Sequence, residues 1–269
     1  VPWAEAEVGA IATQSFVNVS YGPRGLQLLG EGLTANEVIE RLTSQDEARD
    51  YRQVGIVDSK GNVAVFTGKK CLKWAGSKIG KNYAALGNIL AGEEVVSNMG
   101  KRFESMKDDL AGKLIAALEG GEEAGGDIRG RQSASLLVVR KEGGRGGYGD
   151  RYIDLRVEDH PNPIEELKRL LNLSRVYYLI DESEDKFTAG DLKSALFTIK
   201  KAISLNPDID DAYIDLAIIC LKLKRKEEAV KAFKEALRIN PKLKRLIKQL
   251  PDIGLMERDE ELFAKLQIT

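Results

Sequence analysis

The sequence predicts two domains of different class, an α+β domain over residues 1–160 and an all-α helical repeat domain over residues 161–269. Three observations carry this. Up to about residue 158, glycine-rich segments and short β-branched runs alternate with amphipathic stretches. From Pro163 onward glycine nearly disappears, and Leu/Ala/Lys/Glu stretches at helical spacing take over. Within that second part, Asn206-Pro207 returns as Asn240-Pro241, 34 residues on, a period that belongs to paired-helix repeats.

In the first domain, "VGAIATQSFV" (Val8–Val17) reads as a buried strand, and "YGPRGLQLLGEGL" as a turn entering a short helix. "TANEVIERLTSQDEA" predicts a helix with Thr34 as N-cap and Glu37 three residues later, the spacing of a capping box. "YRQVGIVDSKGNVAVFTG" places two apolar β-branched runs about a turn at Asp58–Asn62, a hairpin signal. "NYAALGNIL" predicts a further strand, followed by helices from about Gly92 to Met106 and Leu110 to Glu119. "SASLLVVRK" and "RYIDLRVED" predict two strands joined by "EGGRGGYGD". Strand pairs with helices between them suit an α+β layered domain rather than strict βαβ alternation.

In the second domain Ala195 matches Ala229, Ile199 matches Phe233, and Ala202 matches Ala236 at the same offset. Tyr213, Leu216, Ala217 and Cys220 fall where a first repeat helix carries its bulky and small positions. The pattern resembles the tetratricopeptide repeat. One unit matches well. The other is expected to survive in its second helix only, because "DESEDKFTAGD" disturbs the turn between its helices, and a capping helix is expected near Arg258–Leu266.

Composition narrows the chemistry. The chain has 269 residues, 43% hydrophobic and 31% charged, with a formal net charge of −1. No apolar run approaches the roughly 20 residues of a membrane helix, and neither a membrane nor a nucleic acid is expected as partner. Two cysteines, Cys71 and Cys220, lie far apart, which fits a reducing, cytoplasmic setting better than a disulfide framework. The lone histidine, His160, sits in "EDHPNP" and reads as a connection, which removes His-based triads and most zinc sites. No cofactor or metal is expected. The opening "VPWAEAEVGA" has no basic or apolar leader region and reads as though it begins inside a domain.

Four stretches could carry function. "GGDIRGRQSASLLVV" (Gly125–Val139) resembles a phosphate loop only superficially, since a P-loop needs strand, glycines, lysine, then helix. Arg129 and Arg131 could form a carboxylate fork, or Asp127 could simply neutralise them. "EGGRGGYGD" is expected to be a hairpin loop rather than an Arg-Gly-Gly nucleic-acid segment. Lys222–Lys248 is strongly basic and could draw an acidic peptide, with a solvated helix face as the simpler reading; Lys222, Lys224 and Arg225 are its candidate partner-binding residues. Cys71 lies among Lys69, Lys70 and Lys73, but no histidine stands by to activate it.

"VPWAEAEVGAIATQSFVNVSYGPRGLQLL", "RQVGIVDSKGNVAVFTGKKCLKWAG", "GNILAGEEVV", "GGDIRGRQSASLLVV" and "DLRVEDHPNPIEELKRLL" resemble, in order, successive blocks of the domain-of-unknown-function family numbered 1028. The resemblance spans about residues 1–171. It implies a fold like the N-terminal nucleophile hydrolases, two antiparallel sheets stacked between helix layers (αββα). It further implies that about thirty residues, a first hairpin, precede the block that opens this chain. In that hydrolase class the nucleophile is the first residue of the mature chain, and Val1 offers none. An amide or peptide-bond hydrolase would then take its nucleophile from a preceding segment, with Thr13, Gln14, Arg24, Asn88, Asp127, Arg129 and Gln132 as substrate-binding residues. The alternative is a non-catalytic binding or assembly protein whose repeats hold a partner peptide. A homo-oligomer is compatible with either.

Overall fold

The computed structural model describes residues 2–268; Val1, discussed above for its lack of a nucleophile, lies outside the described residues. The chain divides into two compact units, residues 1–171 and 172–269.

The first unit is built on a four-stranded antiparallel sheet in the order β1 (Pro2–Glu5), β2 (Gly9–Ser15), β3 (Arg52–Asp58), β4 (Val63–Thr67). Two helices, α1 (Tyr21–Gly30) and α2 (Ala35–Ser44), cover one face. Alternation along the strands decides which side chains they meet: Ile11, Val54 and Ile56 join Leu26, Leu29, Val38 and Leu42 in one apolar core. The helices approach closely because α1 is glycine-rich on that side; a Cβ at Gly25 would lie 2.4 Å from Ile11 Cδ1. The Thr34 capping box forms as the sequence predicts, with the Glu37 N–H donating to Thr34 Oγ1 and the Thr34 N–H to Glu37 Oε2.

The opposite face of β3 meets a second layer, the antiparallel hairpin of β5 (Gly76–Gly80) and β6 (Tyr83–Gly87). Gly55 permits this approach, since a Cβ there would come within 2.9 Å of Leu86 Cδ2. A second hairpin, β7 (Ala134–Val139) with β8 (Arg151–Val157), belongs to the same unit. Beyond the hairpins lie α3 (Glu93–Ser105), packed on β5 and β6, and α4 (Leu110–Glu123), packed on β7. The unit is therefore α+β, with antiparallel sheets between helical layers. Strands β1 and β5 escape the sequence reading. "PWAE" is four residues long and opens on proline, and "GSKIG" is short, half polar and lacks alternation.

A long helix, α5 (Pro163–Thr188), contributes Leu167 and Leu171 to the core formed by α4, β7 and β8, while its later residues Val176 and Ile180 belong to the helical unit. That unit continues with α6 (Leu192–Leu205), α7 (Asp210–Lys222), α8 (Lys226–Ile239), α9 (Lys244–Gln249) and α10 (Glu260–Lys265), the last falling where a capping helix is expected.

"DESEDKFTAGD" does not disturb the first repeat. Its acidic residues continue α5, and Val176, Ile180, Ser183 and Phe187 sustain the inward-facing spacing. The two intra-repeat turns share their closing main-chain bonds. The Asp191 N–H donates to Lys186 O at 2.9 Å and the Gly190 N–H to Phe187 O at 3.0 Å. At the 34-residue offset, the Arg225 N–H donates to Cys220 O at 2.8 Å and the Lys224 N–H to Leu221 O at 2.9 Å. Both turns need a left-handed residue at the helix end, supplied by Gly190 (φ 84°) and Lys224 (φ 60°). Asn206 and Asn240 likewise repeat, each side-chain oxygen accepting from the N–H two residues on.

Candidate functional site

Between the two layers of the first unit, β2, β3 and the loop after β6 bring three amides together. Gln53 is fully buried. Its Nε2 donates to Gly87 O at 2.9 Å, to Thr67 Oγ1 at 3.0 Å and to Gly76 O at 3.2 Å. Its Oε1 accepts from Gln14 Nε2 at 2.8 Å and from Asn88 Nδ2 at 3.3 Å. Gln14 also donates to Leu86 O. A buried amide costs little when every valence is used. Here one side chain ties the face of the first sheet to backbone carbonyls of the β5–β6 hairpin and its flanks. Gln53 was not singled out by sequence; the available signal is a polar residue inside the apolar run "QVGIV".

Gln14 and Asn88 thus converge on one centre, and the other expected residues do not join them. Thr13, one position from Gln14, points to the opposite face of β2; it is fully buried, and its Oγ1 has no hydrogen-bond partner. Arg24 lies on α1, donating to Gln45 Oε1 at 2.8 Å. Asp127 accepts from the Arg129 backbone N–H at 2.8 Å and from its guanidinium at 2.6 Å and 2.9 Å. The Arg129 bonds outweigh burial and lower the Asp127 carboxyl below its ordinary range. Asp127 pairs as an isolated bridge with Leu90, which sets this loop beside the segment carrying Asn88. Arg131 binds Glu122 and donates to Asn162 Oδ1 at 2.9 Å. Gln132 is exposed, and its carbonyl accepts from the His160 N–H at 2.9 Å. Cys71 is buried, its thiol 3.3 Å from Arg52 O.

A second polar centre joins β3 to the α2 end. Asp46 accepts from Tyr21 Oη at 2.9 Å, Asn18 Nδ2 at 3.0 Å and Arg52 Nε at 3.0 Å. Burial alone would raise Asp46, yet these bonds hold its carboxyl well below the ordinary range. Burial and the same carboxylate push the Tyr21 phenol up. Every donor is spoken for, which suits a structural pin.

In the helical unit, Lys222 is the exposed last residue of α7, Lys224 is exposed in the turn, and Arg225 is bound to Glu228 at 2.5 Å. Arg238 of the basic stretch is similarly engaged by Glu235, Lys226 by Asp259 and Glu261, and Glu228 also meets Lys200. The more unusual electrostatics lie on α5 and α7. Burial, then the Glu184 and Asp211 carboxylates, push Asp215 up to about 7. Burial, then Asp211 and Asp210, raise the half-exposed phenol of Tyr177. An acidic face, unforeseen in the sequence, therefore runs across the first helices of the two repeats. Asp215 sits four residues after Asp211 in the otherwise apolar "YIDLAIIC", the signal that could have found it. No group of three or more His, Cys, Asp or Glu residues placed to hold a metal occurs among the described residues. Nor, among them, is any helix long and apolar enough to cross a membrane.

The model of the family of unknown function DUF1028 matches residues 1–167, and that of a tetratricopeptide repeat family matches residues 186–250. Among solved structures, the crystal structure of the DUF1028 protein SPO2555 from Silicibacter pomeroyi is similar at 31% identity, with a TM-score of 0.59 over 65% of this chain and 73% of that one. No curated protein matches.

Proposed function

Because the chain belongs to the DUF1028 family of unknown function, we propose from its second unit, the tetratricopeptide-like repeats, that it works by holding a partner polypeptide. The observation that carries this reading is the acidic face of α5 and α7, where burial, Glu184 and Asp211 push Asp215 up to about 7. A lysine or arginine laid across that face would let Asp215 ionise at neutral pH and would relieve the mutual repulsion. Tyr177 beside Asp211 offers a ring to the same side chain. This reading favours a basic partner over the acidic one expected at Lys222, Lys224 and Arg225. Capture experiments with the full chain separate the two. Asp211→Asn with Asp215→Asn should weaken retention of a basic peptide about tenfold, and Lys222→Glu with Lys224→Glu should leave it unchanged. Retention of an acidic peptide that is lost only in the lysine variant would return the site to an acidic partner.

A second reading, amide-bond hydrolysis, is supported by the layered sheets and by the approach of Gln14 and Asn88 at their interface. Its nucleophile would come from residues ahead of Val1, with Gln14 and Asn88 near the substrate. Extending the chain upstream, measuring its N-terminal mass and screening amide substrates tests it. A mature N-terminus without Ser, Thr or Cys would end that reading.

A further inference from the structure

At the 34-residue period of the repeats, α9 falls in line after the second half of α5 and after α7 as a third first helix. It is turned about its axis as α7 is. Ile247 and Leu250 take the places of Tyr213 and Leu216, and all four pack in one apolar core. Away from that core, equivalent positions form two rows across the three helices. Tyr177, Asp211 and Arg245 make one row, and Asp181, Asp215 and Gln249, one helical turn further on, make the other.

This face changes sign along its length. On α7 it is acidic, with Asp211 and Asp215 one turn apart. Burial and neighbouring carboxylates act on both groups, and no cation among the described residues does. On α9 it is basic, because Arg245 is exposed and Lys248 stands beside it. Arg225 and Arg238 are held by Glu228 and Glu235, whereas Arg245 meets no carboxylate among the described residues. Asp252, two periods after Glu184, is engaged by Arg258.

A face that is acidic at one end and basic at the other complements its own copy after a half-turn. Packed helices lie roughly 10 Å apart, so a two-fold axis between α7 and α9 sets unlike charges together twice. So short an array accumulates little of the curvature of a long one, which lets two such faces meet.

We propose that the cation received by Asp211 and Asp215 is Arg245 of a second copy of this chain, in a two-fold dimer closed by two equivalent contacts. The dimer rests on the reading that the face of α5 and α7 receives a basic group, and it supplies that group. Each carboxyl pair gains the counter-charge that its own helices lack, and Tyr177 stands beside the incoming guanidinium.

Sedimentation equilibrium of the full chain at low salt should show a reversible monomer–dimer equilibrium that added salt weakens. Asp211→Lys and Arg245→Glu should each weaken it about tenfold or more, since either one sets like charges together at both contacts. The two variants mixed in equal amounts should associate again, because opposite charges then meet at both contacts. Circular dichroism checks the fold of each. A full chain that stays monomeric, a dimer indifferent to both variants, or a mixture no tighter than its components would each overturn the proposal. A monomeric chain that still retains a basic peptide through Asp211 and Asp215 keeps the receiving face and loses only the second copy. Loss of both removes the face as well.

Discussion

Gln53 shows how much one side chain can settle. Removing it takes a side-chain donor from Gly76 O and Gly87 O and an acceptor from the Gln14 amide in a closed interface. Gln53→Ala is expected to cost about 2–4 kcal/mol, read as a lower urea midpoint with an unchanged m-value. Asp215 acts in the opposite sense. Its folded-state pKa of about 7 lies above the ordinary aspartate value. Between about pH 4 and 7 the folded protein therefore holds a proton that the unfolded chain has released, and stability falls as pH rises through that window. Asp215→Asn mimics the neutral form. It should raise stability by about 1–3 kcal/mol at pH 8 and by little at pH 4, seen in thermal melts at the two pH values. Asp46 has the reverse sign: its carboxyl is held low, so its contribution is present above the ordinary aspartate pKa and is lost as pH falls through its own. None of these roles follows from residue type alone, because each depends on which strand or helix lies across from it.

Among the elements, those with local rules were readable and those depending on distant partners were not. The helix at Thr34 carries its own cap, and the hairpin about Asp58–Asn62 carries its own turn; both form where the sequence places them. Strand β5 has no such signature, since partners distant in sequence hold it: the Gln53 bond to Gly76, the pairing with β6 and the packing of α3. The candidate site was legible in the same uneven way. Gln14 and Asn88 do meet, but the residue that joins them sits in another strand. In the repeats, acidic residues in "DESEDKFTAGD" suggested a break, whereas the inward spacing and Gly190 preserve the turn. The equivalence of Gly190 and Lys224 leads to a direct expectation. Lys224→Gly places the residue best suited to a left-handed turn where φ is already 60°. It should raise thermal stability by about 0.5–1 kcal/mol. The converse, Gly190→Val, should lower it by at least as much.

At the scale of the molecule, two units of different architecture follow one another, and α5 serves both cores. Leu167 and Leu171 are buried against Ile115, Leu136 and Ile153. A chain ended at residue 160 loses both leucines and should be insoluble or lack a cooperative melt. A chain ended at about residue 173 keeps them and should melt as a single transition. The same leucines bear on how the protein is made. Synthesis runs from the N-terminus at about 5–20 residues per second, so the side chains that close the first core arrive last of all its parts. For about 1–4 seconds Ile115, Leu136 and Ile153 all stand uncovered on the nascent chain, long enough for a chaperone to find them. The first unit is completed only once the helix that opens the repeats begins to emerge.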